Sequence, residues 1–360
     1  TTMVIGRLDQ RLKEKKTLNT ARANFQHYAF SYSGVSGGSV GLSLLCARRL
    51  TNPAAVTATD TLFYPTHSLQ IFHHDYLTAS LVGLFGRDAL MSLIGLNWYD
   101  DRARLQEKNW ELYTAAYEID FTLPMIAAWQ KPQKEVPLLF ANTYDINTGY
   151  KGIIAPLRLS QKDFPGSILL HDLIDANQDL RISTVAFVSS RFPYVSPSAK
   201  FNDQHHFMDG GTLENSGAET SLQVITVFKS VLDSLQRFDQ TFKNLKVQLN
   251  ILSLPNSIPV LDSLERVKNL YEPLAPALGI INSTNGNTLK ADSINRFLAK
   301  KNNWNYFSIH PRVKKIKVAN VWPVLPLGWQ ISDYALEQMV LSVNEENRAI
   351  DSVLATIIIR

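Results

Sequence analysis

The sequence has very little cysteine and almost no excess charge. Cys46 is its single cysteine, so no internal disulfide can form and nothing requires an oxidising compartment. We expect Cys46 to be a small buried hydrophobic residue. The 36 Lys and Arg residues nearly balance the 32 Asp and Glu residues. Because proteins that bind nucleic acid usually carry a stronger and more clustered positive charge, no nucleic-acid partner is expected.

Long uninterrupted hydrophobic runs are also missing. The longest apolar stretch, residues 76–98, contains Arg87 and Asp88 in its middle, which argues against a membrane-spanning helix. It is more typical of two buried or interface-facing helices. Residues 1–16 lack the apolar core of a signal peptide. The chain also begins without a methionine, so we expect a processed product or a piece of a longer polypeptide.

Alternating strand and helix patterns are what the sequence does contain. Hydrophobic residues make up 45% of it, which is enough for a large core. The alternation predicts an α/β fold with a central sheet, and no linker divides residues 1–360 into two domains. The principal predicted helices are 8–24, on the surface, and 40–50, 182–190, 218–238 and 334–355. The principal predicted strands are 25–33, 135–142, 152–159, 204–208 and 247–252, with a hairpin between 135–142 and 152–159.

A serine lies in a glycine-rich turn between a predicted strand and a predicted helix. Residues 34–38 read Gly-Val-Ser-Gly-Gly and fit the pattern G-x-S-x-G. Such a turn holds the serine in a strained conformation that exposes its hydroxyl group. This pattern indicates Ser36 as a nucleophile and the N–H of Gly37 as an oxyanion donor. A phosphate-binding loop is the competing interpretation, but the lysine of a P-loop and the G-x-G-x-x-G pattern are both missing.

An aspartate followed by two glycines forms the second motif. Asp209 comes directly after a predicted strand and precedes Gly210 and Gly211, so it should lie at the edge of the sheet. A serine needs a base to become nucleophilic, and none of the eight histidines stands in a recognisable motif. An aspartate that acts directly on Ser36 would remove the need for a histidine. An ordinary Asp-Gly turn is the alternative.

Together the motifs resemble those of the patatin-like phospholipases. Residues 33–39 look like that family's nucleophile elbow, residues 209–217 look like its aspartate motif, and residues 189–197 look like the segment ahead of it. A looser likeness extends from about residue 17 to residue 341. The resemblance implies a three-layer α/β/α sandwich with a mostly parallel sheet. It implies hydrolysis of carboxylic esters of lipids through an acyl-enzyme, with Ser36 as nucleophile, Asp209 as base, and no metal or cofactor.

The resemblance also suggests which residues surround the dyad. Gly37, Gly38, Gly210 and Gly211 would bind the oxyanion or the substrate. Arg191 would either form a structural ion pair or hold an anionic headgroup. One feature departs from the family, which has a glycine-rich oxyanion loop some thirty residues before the serine. Residues 1–16 contain only Gly6, so either that loop lies in sequence absent from this chain or the oxyanion hole is incomplete.

Two other functions are possible for this sequence. They are a Ser-His-Asp hydrolase that uses His310 and an inactive lipid-binding module.

The expected partner is a lipid substrate at a membrane surface, with the protein cytoplasmic and peripheral to that membrane. A basic, aromatic stretch over 304–329 and the apolar residues 76–98 are the candidate docking regions. Some relatives carry a membrane region beside the hydrolase domain, so a missing part of the polypeptide could be membrane-embedded.

Overall fold

The computed structural model describes most of the chain and its secondary structure. The described residues are 1–15, 24–53, 60–76, 102–131, 136–175, 177–191, 196–255, 275–311 and 333–358. The helices are α1 (Thr2–Glu14), α2 (Gly37–Thr51), α3 (Leu69–Phe72), α4 (Arg102–Ala115), α5 (Met125–Trp129), α6 (Ile182–Val188), α7 (Ala218–Phe238), α8 (Ala275–Lys301), α9 (Asp333–Glu345) and α10 (Asn347–Ile358). The strands are β1 (Ser31–Val35), β2 (Leu138–Asp145), β3 (Lys151–Ile154), β4 (Ser167–Leu169), β5 (Ala199–Lys200), β6 (His206–Asp209), β7 (Asn250–Ser253) and β8 (Asn305–Ser308).

Strand β2 is the centre of a six-stranded sheet with the order β4-β3-β2-β6-β5. Strand β1 also pairs with β2. The pairs β1–β2 and β3–β4 are parallel, whereas β2–β3, β2–β6 and β5–β6 are antiparallel. The expected parallel arrangement therefore holds for the strand that leads to Ser36, within a mixed sheet. The α/β class is confirmed, because helices surround this sheet.

Strands β1 and β6 share one edge of β2. Strand β3 occupies the other edge, where it pairs with residues 141–144. Strand β1 runs parallel to β2 and ends with Val35 opposite Asn142. Strand β6 runs antiparallel and ends with Asp209 opposite Thr143. The carboxyl ends of β1 and β6 therefore meet head to head beside two adjacent residues of β2.

Helices cover both faces of the sheet. Because successive side chains of a strand point to opposite faces, β2 contributes to two hydrophobic clusters. Leu139 and Ala141 pack in the larger cluster, which includes residues of α1, α2 and α6. Phe140 packs in a smaller cluster with Val224 of α7. The buried strand thus fixes α6 and α7 on opposite sides of the same two-residue junction.

Several predicted elements are confirmed. Helix α7 has the predicted bounds, and β2 and β3 form the expected antiparallel hairpin. Helix α2 covers the predicted helix 40–50 but begins earlier, at Gly37, directly after the serine. Cys46 is fully buried, as expected. Among the described helices, none is long and apolar enough to cross a bilayer.

Other predictions were wrong in position or environment. The surface helix predicted over 8–24 is wrong in its first part, because residues 8–14 belong to α1, a core helix that begins at Thr2, and residues 16–23 lie outside the described part of the chain. Helix α1 buries Val4, Leu8 and Leu12, which recur every four residues and form an apolar stripe. The strand predicted over 25–33 begins only at Ser31, because residues 25–28 form a short 3-10 helix capped by Asn24. The C-terminal helix is divided at residue 346, and residues 77–98 lie outside the described part of the chain.

Candidate active site

Ser36 occupies the sharp turn between β1 and α2. Its backbone φ is +54°, a left-handed conformation that costs a non-glycine residue about 1–3 kcal/mol. Its carbonyl accepts the first hydrogen bond of α2, from the N–H of Val40 at 3.2 Å. Gly34 permits this tight turn, since a Cβ atom there would lie 2.8 Å from the backbone of Ser39. The strained, partly exposed serine has the geometry of the predicted nucleophile elbow.

Asp209 is the last residue of β6 and caps the short 3-10 helix that follows. The backbone N–H of Gly211 donates a hydrogen bond of 2.7 Å to its Oδ1 atom. Gly210 is required for the close approach of this turn to β2, because a Cβ atom there would lie 2.4 Å from the carbonyl oxygen of Asn142. The carboxylate is therefore buried and oriented by its own loop.

The two predicted catalytic side chains are in direct contact. The hydroxyl group of Ser36 donates a hydrogen bond of 2.6 Å to Oδ2 of Asp209. Burial raises the pKa of Asp209 from 3.8 to about 6, and the hydrogen bonds from Ser36 and Gly211 partly oppose this rise. A carboxylate with this pKa is mostly ionised at neutral pH and can accept a proton from the serine.

The first turn of α2 begins beside the serine. The first N–H groups of a helix have no partner within the helix and attract negative charge. Gly37 and Gly38 belong to this turn, and Gly37 is exposed. A Cβ atom at Gly37 would meet no other atom within 4 Å, so open space lies next to Ser36. These two residues can therefore offer N–H groups to a negatively charged oxygen near the serine.

Ser189 links the serine loop to the aspartate loop. Its backbone carbonyl accepts hydrogen bonds from the N–H of Ser36 at 3.2 Å and from the N–H of Gly210 at 3.4 Å. Its side chain bonds to the hydroxyl of Ser39 and to the carbonyl of Asn142. Residue 189 is completely buried. It is thus a common support for the serine loop and the aspartate loop.

Three further residues, Ser189, Asn142 and Thr143, contact the site loops, and no role was predicted for them from the sequence. One signal could have found the last two. Asn142 and Thr143 are polar residues within a strand that is otherwise largely apolar, and buried polar side chains normally have specific hydrogen-bond partners.

The side chain of Arg191 contacts Pro197 and Glu107. Its guanidinium group donates a hydrogen bond of 3.0 Å to the carbonyl of Pro197 and lies 3.7 Å from the carboxylate of Glu107. Both charged side chains are buried. These contacts favour the structural ion pair over a headgroup site. The backbone carbonyl of Arg191 does support the site, because it accepts the N–H of Asp209 at 2.9 Å.

The remaining candidates lie in other surroundings. His310, the residue on which a Ser-His-Asp triad would depend, bonds through Nδ1 to the carbonyl of Pro255 at 2.9 Å. Gly6 lies inside α1, and a Cβ atom there would overlap the carbonyl of Phe63, so Gly6 is a close-packing residue. Trp304 lies near Lys229, whereas residues 312–329 of the basic, aromatic stretch lie outside the described part. Within the described residues, no group of three or more His, Cys, Asp and Glu side chains could hold a metal ion.

No protein-family model matches the chain, and no curated protein sequence matches it. The likeness to the patatin-like phospholipases therefore rests on the motifs that carry it.

Proposed function

We propose that this chain is a serine acyl hydrolase of the patatin-like kind, which cleaves carboxylic esters of lipids. The observation that carries the proposal is the 2.6 Å hydrogen bond from Ser36 to Asp209 at a strained strand-to-helix turn. The serine is partly exposed while its partner is buried, as a nucleophile and its base should be. The finer fold assignment, a patatin-like three-layer sandwich, belongs to the same proposal, and the helices on both faces of the sheet support it.

The reaction would proceed in two halves. In the first, Ser36 Oγ attacks the ester carbonyl while Asp209 takes its proton, and the N–H of Gly37 stabilises the oxyanion. The tetrahedral intermediate then expels the alcohol, which receives the proton from Asp209 and leaves an acyl-enzyme. In the second half, Asp209 takes a proton from water, which attacks the acyl group. Collapse of that intermediate releases the carboxylic acid, and the proton returns to Ser36.

The expected lipid substrate implies work at a membrane surface, and peripheral binding is part of the proposal. One apolar surface can be set aside for this purpose. Val231, Leu235 and Phe238 form an exposed stripe at the end of α7, with a spacing of four and three residues. Helix α7 begins beside β1 near Ser33 and runs toward Phe30, which precedes β1. The stripe therefore lies at the opposite end of the sheet from Ser36. Docking of the site on a membrane would use another surface, and flotation with lipid vesicles would measure that binding.

A fluorophosphonate probe tests the proposed chemistry without knowledge of the substrate. The wild-type protein should be labelled at Ser36, and turnover of a short-chain ester should fall on the order of 10³-fold in Ser36→Ala and in Asp209→Asn. The double variant should be hardly slower than either single variant, because the two residues act as a unit. His310→Ala is the matched control and should retain full activity. Substantial turnover in Asp209→Asn would exclude the dyad, and loss of activity in His310→Ala would favour a triad.

A further inference from the structure

Two adjacent polar residues of β2 lie where the catalytic strands meet. Asn142 and Thr143 are 3% and 0% exposed, so their polar atoms are removed from water. Burying a polar group is unfavourable unless it is hydrogen-bonded, and a strand core would more simply be filled with apolar side chains. Their partners therefore indicate what these two residues contribute.

Asn142 holds the strand that leads to the serine. Its Nδ2 atom donates to the carbonyl of Gly34 at 2.8 Å and to the hydroxyl of Ser33 at 3.0 Å. Its Oδ1 atom accepts a hydrogen bond of 2.5 Å from the hydroxyl of Thr220 in the first turn of α7. Helix α7 thus fixes the amide group, and the amide fixes the backbone two residues before Ser36.

Thr143 holds the strand that leads to the aspartate, from the other face of the sheet. Its hydroxyl group contacts the carbonyl of Met208 at 2.5 Å and the carbonyl of Val188 in α6 at 3.3 Å. The Met208 carbonyl belongs to the peptide group whose N–H, that of Asp209, is already bound by the carbonyl of Arg191. The peptide that positions Asp209 is therefore held at both of its polar ends.

We propose that Asn142 and Thr143 are positioning residues that together set the distance between Ser36 and Asp209. Each binds a backbone carbonyl one or two residues before a dyad member, and they do so from opposite faces of the sheet. Since they are neighbours on one rigid strand, neither catalytic loop can shift without loss of a buried hydrogen bond. This inference rests on the proposed function for its catalytic meaning, but the positioning can be measured without any activity.

The deciding measurement is the pKa of Asp209 by carbon-13 NMR of labelled aspartate carboxyl groups, with Asp209→Asn as the assignment reference. Ser36→Ala removes the hydrogen bond from the serine and should raise this pKa by about one unit. If Thr143 positions Asp209 against Ser36, then Thr143→Val should raise the pKa nearly as much, while Thr143→Ser keeps the hydroxyl and should leave it at the wild-type value. Asn142→Ala should raise it as well, by releasing the other strand.

Thr114→Val is the matched control for a purely structural effect. Thr114 is also fully buried, and its hydroxyl donates to the carbonyl of Trp110 within α4. This variant should lose stability without moving the pKa of Asp209. If Thr143→Val and Asn142→Ala lower the melting temperature as Thr114→Val does and leave the pKa unchanged, the positioning role is wrong. Because the two residues hold different strands, Asn142→Ala decides alone if Thr143→Val does not fold.

Ester turnover separates this inference from the proposed function. In an active wild-type protein, Thr143→Val should lower kcat on the order of tenfold with little change in KM, and Thr143→Ser should restore it. An inactive wild-type protein whose Asp209 pKa still responds to Asn142→Ala and Thr143→Val would contradict the hydrolase but support the positioning. Normal turnover of the wild-type protein, together with an Asp209 pKa that does not respond to Asn142→Ala and Thr143→Val, would support the hydrolase and contradict the positioning.

Discussion

At the scale of single residues, the site combines backbone strain with a buried charge. Ser36 is held at a positive φ, and Asp209 is ionisable yet 4% exposed. Both features are unfavourable for folding and useful for nucleophilic catalysis. They occur at the two residues that the sequence motifs single out, which supports a catalytic role over an ordinary Asp-Gly turn.

The raised pKa of Asp209 predicts the pH dependence of hydrolysis. Only the ionised carboxylate can accept the serine proton, and burial places its pKa at about 6. The kcat/KM for a neutral ester should therefore fall as the pH drops below about 6 and be level above about 7. A neutral substrate is essential, since its own ionisation would otherwise contribute. A profile that stays flat down to the ordinary aspartate value near 4 would contradict the assignment of Asp209 as the base.

The sequence predicted the serine and the aspartate that come into contact, but not the residues that support them. Ser36 and Asp209 were predictable because glycines and small residues mark the turns that expose them. Asn142, Thr143 and Ser189 received no role, because their function depends on which carbonyl lies within reach. That information is set by strand pairing between residues distant in the chain, and no local pattern encodes it.

At the scale of elements, local pattern succeeded where one face of an element is apolar over its whole length. Helix α7 was predicted with its observed bounds for this reason. The surface helix was predicted over 8–24 because that segment is polar and rich in Lys, Arg and Leu, whereas α1 begins at Thr2 and its apolar stripe packs against other helices. The long helix α8 was not predicted, since its mixed sequence shows little periodicity.

The contacts of Arg191 between elements predict the effect of its substitution on stability. Its guanidinium group joins α4, through Glu107, to the carbonyl of Pro197 in the segment before β5. The ammonium group of a lysine cannot span both partners, so Arg191→Lys should cost about 1–3 kcal/mol of stability. Turnover should fall by one common factor for neutral and anionic esters.

The control for this variant is Arg158→Lys, at an exposed arginine, which should leave the melting temperature unchanged. A selective loss of activity on anionic esters, with an unchanged melting temperature, would restore Arg191 as a headgroup ligand.

At the scale of the whole molecule, Asp209 should lower stability at neutral pH. Its pKa is raised in the folded state, so the folded state binds the proton more tightly than the unfolded state. The resulting stabilisation is present below pH 3.8 and is lost as the pH rises through about 6. Asp209→Asn should therefore be more stable than wild type at pH 8, by about 3 kcal/mol, and equal to it near pH 4.

Chemical denaturation at both pH values measures this difference. Asp203→Asn, at an exposed aspartate, is the control and should show no such pH-dependent gain. Equal stability of Asp209→Asn and wild type at pH 8 would mean that the carboxylate is not buried as the structure describes.

The global strand arrangement was the least predictable property. The alternation of strands and helices gave the α/β class, but the head-to-head meeting of β1 and β6 depends on the register of both strands against β2. A shift of either register would separate Ser36 from Asp209. Because β2 is buried on both faces, its side chains show no alternation of apolar and polar residues that would specify that register.

The double use of the Ser189 carbonyl also has a dynamic consequence. The amides of Ser36 and Gly210 are far apart in the chain but share this one acceptor. A single local opening at residue 189 would expose both amides. The two amides should therefore exchange with deuterium through one common opening event and have similar protection factors. A ligand that orders the serine loop would then slow exchange in the aspartate loop without touching it.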